Sequence, residues 1–413
     1  MSERKVVITG IGVVAPNASG AKDFWDALMT GRSGIRALRQ VDPDSFNSRI
    51  AGEVGEILAP TGMDPGRFKR LARYAQLGLV ASTQAVEDSG IVVNDDNRHR
   101  IGVCIGTALG GIAVAEAQSD ALRKSKRRRV NPLTSFGGLA ASIVPAEVMR
   151  LLQIHGPLMC TSTGCASGAS AVVEGFKEIR HGSVDAMIVG GAEAPVTEVV
   201  MSTYCELDAL SKRNDEPQRA SRPFDRDRDG FVISEAASIL VLESEESAMR
   251  RGARIYASVL GAGTTCDAVG GYDTDVTGEC AAIAIQQAAS NAGVRLEEIY
   301  YVSAHGESGK KIDKKESAAI RRAFGGRAFD VAVSSIKALI GHSLGASGAI
   351  QAATAALALH AGVVPQTWNY EKQDPDCDLD YVAGASRAAL PGPALVNSYG
   401  LGGLNVSLVL GTA

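Results

Sequence analysis

A single cysteine, Cys165, stands in a run of small residues that could expose a reactive thiol. The run reads Thr-Ser-Thr-Gly-Cys-Ala-Ser-Gly over 161–168 and leads into a predicted helix over 169–179. A turn of this kind exposes its central side chain, as in serine-based nucleophile elbows. It also places the thiol at a helix N-terminus, where free N–H groups and the helix dipole stabilise a thiolate. We therefore predict that Cys165 is a nucleophile.

The other cysteines lack such a setting, and we interpret them as structural thiols, the usual role of free cysteine. They are Cys104, Cys160, Cys205, Cys266, Cys280 and Cys377. The number of cysteines, seven, is odd, and the sequence contains no C-x-x-C pair. Both observations argue against a disulfide framework and against a zinc site. A reducing cytoplasm fits this pattern best.

Two histidines and a lysine form a second set of chemically useful residues. His305 follows the apolar run 301–304, and His342 follows another apolar run shortly after Lys337. Both histidines stand where an apolar segment gives way to a glycine-containing loop. A lone histidine there is more often a satisfied core residue, but two of them with a lysine and an elbow cysteine favour a catalytic set. We interpret the remaining histidines as surface or packing residues: His99, His155, His181 and His360.

The elements that must position these residues alternate in type, which predicts an α/β architecture. Strands are predicted over 6–10, 101–105, 186–189, 238–242, 255–260, 300–303, 395–397 and 406–410. Helices are predicted over 23–29, 70–89, 168–181, 278–292, 314–324 and 345–360. The chain also divides into two loosely similar halves, 1–250 with the cysteine and 251–413 with the two histidines. No residue-level repeat proves a duplication.

Composition narrows the class of protein. The 413 residues can bury a large core, and 45% apolar with 21% charged residues is ordinary for a globular chain. A net charge of −4 gives no general attraction to nucleic acid or to anionic membranes. The segment 338–370 carries no Asp, Glu, Lys or Arg and is long enough to span a bilayer. Its many Gly, Ala and Ser residues favour a buried helix in a large core instead.

Longer motifs extend along the chain and agree with one another. They read Val-Ile-Thr-Gly-Ile-Gly over 7–12, Arg-Pro-Phe-Asp over 222–225, Asp-Gly-Phe-Val over 229–232 and Asn-Ser-Tyr-Gly-Leu-Gly-Gly over 397–403. With the cysteine and histidine motifs, they make the chain resemble the β-ketoacyl-acyl carrier protein synthases of the thiolase superfamily, in particular the elongating Cys-His-His ketosynthases. The motif Ser-Thr-Gly-Cys over 162–165 is more similar to that of type II polyketide ketosynthase subunits than to that of housekeeping fatty-acid enzymes. The resemblance implies a thiolase-like fold whose two pseudo-duplicated halves form a layered α-β-α-β-α core.

The resemblance also implies a reaction. Cys165 would accept an acyl chain from an acyl carrier protein, and malonyl-carrier protein would lose carbon dioxide to give an enolate that attacks the acyl-cysteine. His305 and His342 would donate hydrogen bonds to the malonyl thioester oxygen, and Lys337 would hold local charge. The backbone N–H groups of Cys165 and Leu401 would form a second oxyanion hole.

Further roles follow from the same resemblance. Glu316 matches a supporting glutamate near the histidines, with a helix-surface glutamate as the alternative. Leu401, Tyr399 and Ile112 would gate the acyl pocket. No cofactor and no metal are implied, because the acyl groups arrive on the phosphopantetheine of the carrier.

Two departures from the family pattern concern substrate handling. The family carries His-Gly-Thr-x-Thr after the first histidine, whereas this chain reads His-Gly-Glu-Ser-Gly, with Glu307 and Gly309 in place of the two threonines. The following Lys310 and Lys311 could neutralise Glu307. Leu401 stands where many elongating enzymes have a phenylalanine gate, so gating could be looser.

The expected partner is an acyl carrier protein, which is acidic. Basic residues in two segments could dock it: Arg67, Lys69 and Arg70 in the first, and Lys126, Arg127, Arg128 and Arg129 in the second. A homodimer, or a heterodimer with a chain-length factor, is implied, with no nucleic acid and no membrane. Two other functions stay open: a non-elongating acyltransferase of the same fold, and a pocket-shaping chain-length subunit, against which Cys165 argues.

Overall fold

Strands and helices alternate along the chain. The computed structural model describes residues 3–124, 129–270 and 273–413. The strands are β1 (Val6–Ala15), β2 (Ala18–Ser19), β3 (Ile35–Ala37), β4 (Ile50–Gly52), β5 (Ile101–Gly106), β6 (Leu158–Thr161), β7 (Ala186–Glu193), β8 (Ala236–Ser244), β9 (Ala257–Cys266), β10 (Tyr301–Ser303), β11 (Ala332–Ser334), β12 (Val363–Val364), β13 (Arg387–Ala388), β14 (Ala394–Gly400) and β15 (Leu404–Gly411). The helices are α1 (Ala21–Thr30), α2 (Pro65–Arg70), α3 (Arg73–Ser89), α4 (Ile112–Lys124), α5 (Pro132–Leu139), α6 (Ile143–Leu152), α7 (Ser167–Arg180), α8 (Glu198–Glu206), α9 (Pro217–Ala220), α10 (Glu245–Arg250), α11 (Glu279–Ala292), α12 (Lys310–Phe324), α13 (Lys337–Ile340) and α14 (Ser347–Ala361).

Ten strands form one path in the order β11-β10-β14-β15-β9-β1-β8-β7-β5-β6, and β2 pairs with β1. The path consists of two five-stranded half-sheets. They meet where β1 and β9 pair antiparallel, with Val6 opposite Val259 and Ile8 opposite Ala257. Every residue of β1 is buried, as expected for a strand with both faces covered.

The two half-sheets repeat the same strand order and sense. In the first, β8 lies between β1 and β7 and is antiparallel to both, and β5 and β6 then continue parallel to β7. In the second, β9, β15 and β14 are antiparallel neighbours, and β10 and β11 continue parallel to β14. The pseudo-duplication expected from the sequence is therefore present in the fold. The predicted boundary between residues 250 and 251 falls between α10 and β9 and stays a prediction.

Helices cover the half-sheets in three layers. The pair α7 and α14 lies in the middle and contacts strands of both half-sheets. Helices α3 and α6 pack on the outer face of the first half-sheet, and α11, flanked by α12, packs on the second. This is the α-β-α-β-α order implied by the resemblance. The charge-free segment 338–370 contains α14, which is almost wholly buried in the middle layer.

Two glycines let the central helices approach closely. A Cβ atom placed on Gly348 would lie 2.6 Å from the Cβ of Ala169, and one on Gly168 would lie 2.9 Å from the Cβ of Ala349. Real Cβ atoms are not found that close, so both positions need glycine. The crossing lies just inside the N-termini of α7 and α14, which follow Cys165 and His342 in the chain. It therefore brings the two candidate catalytic residues together.

Some local expectations need correction. The helix predicted over 70–89 is interrupted, because Ala72 adopts an extended conformation and separates α2 from α3. The first strand extends beyond the predicted range 6–10 to Ala15, and it contains Gly10 and Gly12, where a Cβ would collide with backbone atoms of α3. Among the described residues no single helix has the length and hydrophobicity of a membrane span, although α5 and α6, bent by 97°, would meet those criteria as a pair.

Candidate active site

The turn that carries Cys165 is built by its neighbours. Gly164 adopts φ 56°, a left-handed conformation that glycine enters without strain, and it turns the chain between β6 and α7. The Ser167 hydroxyl accepts a hydrogen bond from the Thr163 N–H at 2.9 Å and donates to the Gly164 carbonyl. The thiol is thereby held at the N-terminus of α7, as the sequence predicts.

A second turn, between β14 and β15, lies over this cysteine. A Cβ on Gly164 would be 3.3 Å from the Leu401 nitrogen, and a Cβ on Gly400 would be 3.4 Å from the Cys165 nitrogen. The Leu401 N–H also acts on the thiol, since it lowers the pKa of Cys165 against the effect of burial. The two backbone N–H groups expected to form an oxyanion hole, those of Cys165 and Leu401, are therefore neighbours.

The surroundings of Cys165 favour the protonated thiol over the thiolate. Burial, and next the Glu307 carboxylate, raise the pKa of Cys165 to about 12, whereas Lys337 and the Leu401 N–H oppose this shift. The thiolate expected from the helix N-terminus is therefore not the resting form, and the proton must leave as a substrate binds.

His305 follows β10 and has a fixed orientation. Its Nδ1 accepts a hydrogen bond from the Tyr399 N–H at 3.3 Å, which leaves the ring proton on Nε2. Burial, with Lys337 and Lys315 nearby, lowers its pKa well below the usual value, so the ring is neutral. Neutral and donating through Nε2, His305 suits an oxyanion donor and not a base.

His342 precedes α14 and faces His305. The ring centroids are 5.3 Å apart at an interplanar angle of 81°. Its Nδ1 lies 2.9 Å from the Ser347 hydroxyl, which can donate to it, and the buried Nε2 makes no hydrogen bond. Burial, followed by the Lys337 charge, lowers the pKa of His342 well below the usual value. Both histidines therefore present Nε2–H groups to one space.

Lys337 supports His305 from behind. Its buried ammonium donates to the His305 carbonyl and lies 3.3 Å from Gln351 Oε1. Burial lowers the pKa of Lys337 to about 8, against the opposing effects of Glu307 and Glu316. The group is therefore a cation whose charge is sensitive to mildly alkaline pH.

Glu316 lies at the base of the same loop. It is fully buried, so it is not a helix-surface glutamate. Its carboxylate accepts the His305 N–H at 2.9 Å, the Gly306 N–H at 2.7 Å and the Asn397 side-chain amide at 3.2 Å. Burial raises its pKa, and these hydrogen bonds counteract the shift. Glu316 thus fixes the backbone that carries His305.

Glu307 occupies the space between the two histidines. Its Oε2 is 3.2 Å from His305 Nε2 and 3.4 Å from His342 Nε2. The expected neutralisation by Lys310 and Lys311 is not seen, since Lys311 Nζ pairs with Asp273 at 3.4 Å.

The two histidines and Glu307 have the spacing of a metal site, with their ligand atoms within 4.8 Å of one another. The tautomer argues against that use. A metal on His305 Nε2 would require the ring proton to move to Nδ1, which faces the Tyr399 N–H. Two N–H groups would then point at each other.

The predicted gate residues lie in different places. Leu401 is 49% exposed at the tip of its turn, and Ile112 packs with Cys165 in an apolar cluster. Tyr399 is buried beside His305, with its ring 5.0 Å from the ammonium of Lys315. A gating role thus stays a prediction for all three residues, and Tyr399 also contributes the N–H that orients His305.

The docking candidates also differ in their surroundings. Lys69 and Arg70 are exposed on α2, but Arg67 forms a bidentate ion pair with the buried Glu147. Arg129 is exposed. The other members of the second segment, Lys126, Arg127 and Arg128, lie outside the described residues.

One supporting pair was missed from the sequence. Lys315 is buried and pairs with Asp267 at 2.6 Å, and Asp267 in turn accepts the Asn405 side-chain amide at 2.8 Å. The Asp267 N–H donates to the Gly403 carbonyl at 2.8 Å, which anchors the turn that carries Leu401. The run Lys-Lys-Ile-Asp-Lys-Lys-Glu gives no signal of this, because it is typical of an exposed helix.

Family models match both halves of the chain. The β-ketoacyl synthase N-terminal domain matches residues 3–248, and the β-ketoacyl synthase C-terminal domain matches residues 256–371. The chain therefore belongs to the β-ketoacyl synthase family.

Several relatives are similar to this chain over its full length. The chain is 40% identical over 408 residues to 3-oxoacyl-[acyl-carrier-protein] synthase 2 of Synechocystis sp., covering 99% of this chain and 98% of the relative. It is 39% identical over 414 residues to the tetracenomycin polyketide synthase ketoacyl synthase alpha subunit of Streptomyces glaucescens, covering 99% and 97%. A solved type II polyketide synthase acyl-carrier protein–ketosynthase complex matches with a TM-score of 0.91 at 32% identity and full coverage of both chains. The chain is accordingly a condensing acyltransferase of fatty-acid or polyketide synthesis.

Proposed function

We propose that this chain carries its acyl group on Cys165 and extends it by decarboxylative condensation with a malonyl thioester. The observation that supports this most directly is the meeting of two donor pairs around one thiol. The backbone N–H groups of Cys165 and Leu401 form one pair, and the Nε2–H groups of His305 and His342 form the other.

The first half-reaction is acyl transfer. The Cys165 sulfur attacks the carbonyl of an acyl thioester on the carrier, and the oxyanion that forms is held by the N–H groups of Cys165 and Leu401. The carrier thiol leaves and takes a proton, and the acyl group remains on the cysteine. A thiol with a pKa raised to about 12 makes this step the more demanding one for proton removal.

The second half-reaction breaks a carbon–carbon bond. The malonyl thioester oxygen accepts hydrogen bonds from His305 and His342 while the carboxylate leaves as carbon dioxide. The enolate carbon attacks the acyl carbon on Cys165, and the expelled thiolate takes up a proton from solvent to regenerate the resting thiol. Because both imidazoles are neutral donors, they stabilise the developing charge without taking a proton. The thiol, the imidazoles and the backbone N–H groups supply every role, so the chemistry needs no cofactor.

The decisive experiment is intact-mass measurement after incubation with a panel of acyl-carrier proteins. The wild-type chain should gain the mass of one acyl group, and Cys165→Ala should gain none. Cys160→Ala is the matched control, since Cys160 lies on the preceding strand and should leave capture unchanged. An adduct that persists in Cys165→Ala would refute the assignment.

An acyl carrier protein is the partner that fits the relatives. One solved neighbour is a carrier in complex with its ketosynthase. Lys69 and Arg70, exposed on α2, would contact an acidic carrier surface. Reversal of both to glutamate should raise the KM for carrier-bound substrate, with a smaller effect at high salt. Arg67 should be left intact, because its reversal would place two carboxylates together at Glu147; an unchanged KM in the Lys69–Arg70 variant would contradict docking on α2.

A second chain is expected on one side of the molecule. Strand β6 is at the end of the sheet with Leu158 43% exposed, and α5 exposes Leu133 and Phe136 at 68% and 79%. Apolar surface of this kind marks an interaction site. A solved neighbour is described as a ketosynthase/chain length factor, with a TM-score of 0.89 at 34% identity. A homodimer or such a heterodimer would cover this surface, and Phe136→Asp should shift the mass in light scattering towards a monomer.

Two further assignments belong to the same proposal. All seven cysteines are free thiols in the structure, which supports a reducing, cytoplasmic location. The division of the chain into halves at residues 250 and 251 is supported by the repeated strand order and by the family models, which end and begin at 248 and 256.

A further inference from the structure

The carboxylate of Glu307 stands where a substrate oxygen would have to bind. Its Oε2 accepts a hydrogen bond from His305 Nε2 at 3.2 Å and lies 3.4 Å from His342 Nε2. Because the tautomer of His305 is fixed by the Tyr399 N–H, its donor points at this carboxylate. The cradle for the extender oxygen is therefore occupied by the protein itself.

The loop is shaped to hold the carboxylate there. A Cβ on Gly309 would lie 2.6 Å from Glu307 Oε1 and 3.4 Å from its carboxyl carbon, so the glycine provides the room for this side chain. Asp313 accepts the N–H groups of Glu307 at 2.9 Å and Ser308 at 3.2 Å, and Ser308 adopts φ 74°. The backbone is fixed on all sides, and only the side chain of Glu307 has freedom to turn.

No ammonium or guanidinium group neutralises this carboxylate within ion-pair distance in the described part of the chain. Lys311 pairs with Asp273, and the Lys337 ammonium is engaged by the His305 carbonyl and Gln351. A carboxylate whose side chain is 12% exposed and that has no cation in ion-pair contact would repel the malonyl carboxylate. While it remains in the cradle, both half-reactions are opposed.

We propose that Glu307 is a specificity-determining residue that fills the extender's oxygen site until a carrier-bound malonyl thioester displaces it. This inference rests on the proposed function. The contacts between carrier and enzyme supply the binding energy for the displacement, as remote binding energy does in other enzymes. A small malonyl thioester without a carrier lacks those contacts and leaves the cradle closed. The enzyme thereby avoids decarboxylating malonyl groups that are not delivered for extension.

Three substitutions separate the position of the carboxylate from its charge. Glu307→Thr removes the side chain from the cradle, and Glu307→Gln removes the charge but keeps the shape. Gly309→Ala keeps the charge and pushes the carboxylate out; its φ of −84° is ordinary, so alanine adds no backbone strain. Glu297→Gln, at an exposed glutamate remote from the site, is the matched control.

The measurement is carbon dioxide release from malonyl-N-acetylcysteamine and from malonyl-carrier protein, with acyl capture by intact mass in parallel. Release from the small thioester should rise about tenfold in Glu307→Thr and in Gly309→Ala, the factor expected when a charge-assisted hydrogen bond no longer competes. Glu307→Gln should show a smaller rise. The KM for malonyl-carrier protein should fall in the same order. Acyl capture at Cys165 should persist in all three variants, and it should rise where the charge is removed, because the Glu307 carboxylate raises the pKa of the thiol.

Two results would overturn the inference. If release falls in Glu307→Thr and Gly309→Ala while acyl capture persists, Glu307 assists the chemistry instead of closing the site. If release is unchanged in both, the carboxylate does not control entry. Loss of acyl capture in the wild-type chain is a different result and would refute the proposed function itself.

Discussion

The two halves of this molecule use one scaffold for different chemical tasks. In each half, a helix of the central layer follows the strand at the outer end of the half-sheet. In the first half α7 follows β6, and in the second half α14 follows β11. The residue presented before the first helix is the thiol Cys165. The one presented before the second is the imidazole His342. Likewise Thr107 follows β5, whereas His305 follows the equivalent strand β10.

Each half also has a buried carboxylate that binds the backbone of a loop at the active site, and comparing the two shows where the halves differ. Glu193 ends β7 and accepts the Ala108 and Gly345 N–H groups at 2.5 and 3.2 Å, and burial raises its pKa to about 7. Glu316 accepts the His305 and Gly306 N–H groups in the second half. Both carboxylates fix loop backbones, but Glu193 also binds Gly345 of the other half. It therefore helps to hold the two catalytic loops in register.

The difference lies in where charge is placed. Around Cys165 the loop of the first half offers small side chains and its own backbone N–H, and the second half adds the Leu401 N–H. The second half concentrates Lys337, Glu316, Glu307 and two imidazoles around the extender site. A neutral thioester carbonyl is activated by the first arrangement, and a developing enolate by the second. The duplicated fold thus separates acyl capture from decarboxylation while keeping both at one crossing of helices.

Removing a histidine should impair decarboxylation and leave acyl capture intact. His305→Ala or His342→Ala should each lower carbon dioxide release from malonyl-carrier protein by about 10²–10³, the usual cost of one lost oxyanion donor. Acyl capture on Cys165 should persist, because its own donors are backbone groups. His181→Ala, at an exposed histidine, is the control. If capture were lost together with decarboxylation, the separation of tasks would be wrong.

Moving the halves apart should harm the condensation more than either half-reaction alone. In Gly348→Ala the new Cβ would lie 2.6 Å from the Cβ of Ala169, so α14 must shift from α7. Displacements of this kind cost about 10² in rate when two reacting groups must meet. Overpacking should also lower the free energy of unfolding by about 1–3 kcal/mol.

Three assays read out that variant: intact mass for acyl capture, carbon dioxide release, and product formation. Only product formation should fall by the full factor. A conservative control is Ala358→Gly on the same helix, which removes a methyl group instead of adding one. Equal losses in all three assays would mean that the crossing supports the fold and not the meeting of the halves.

The sequence predicts the secondary-structure elements and the catalytic residues better than the contacts between distant residues. The β-branched runs locate the main strands, and Cys165, His305 and His342 stand at element ends where side chains are presented. The break at Ala72 is missed because Gln76 satisfies the freed carbonyls of Phe68 and Leu71, a contact that periodicity does not reveal. Lys315 reads as an exposed helix residue because its partner Asp267 is 48 positions away.

The fit of Glu307 is hidden for a related reason. The resemblance to the family implies that Glu307 and Gly309 stand in place of two threonines, but it does not reveal that the glycine makes room for the glutamate. That relation depends on the backbone between them, which Asp313 fixes from the next helix. Three-dimensional contacts of this kind determine substrate handling, whereas the nucleophile and the donors are readable from local motifs.

The smallest predicted effect concerns pH, and it has opposite signs in the two halves. The Cys165 thiol has a pKa raised to about 12 by burial, so acyl capture should increase with pH as the thiolate fraction grows. The Lys337 pKa is lowered to about 8 by burial. Carbon dioxide release should therefore decline as pH rises through 8, because the cation behind His305 loses its proton.

The two profiles can be separated with one substitution. Lys337→Arg keeps a charge at alkaline pH and should remove the decline in carbon dioxide release, if the guanidinium reaches the His305 carbonyl as the ammonium does. Lys337→Met should show low release with no decline near pH 8. Both histidines are already neutral near pH 7, so neither should add an acid limb there. If acyl capture and carbon dioxide release instead depend on pH in the same way, one ionisation governs both half-reactions. The two halves of the fold would then not be electrostatically independent.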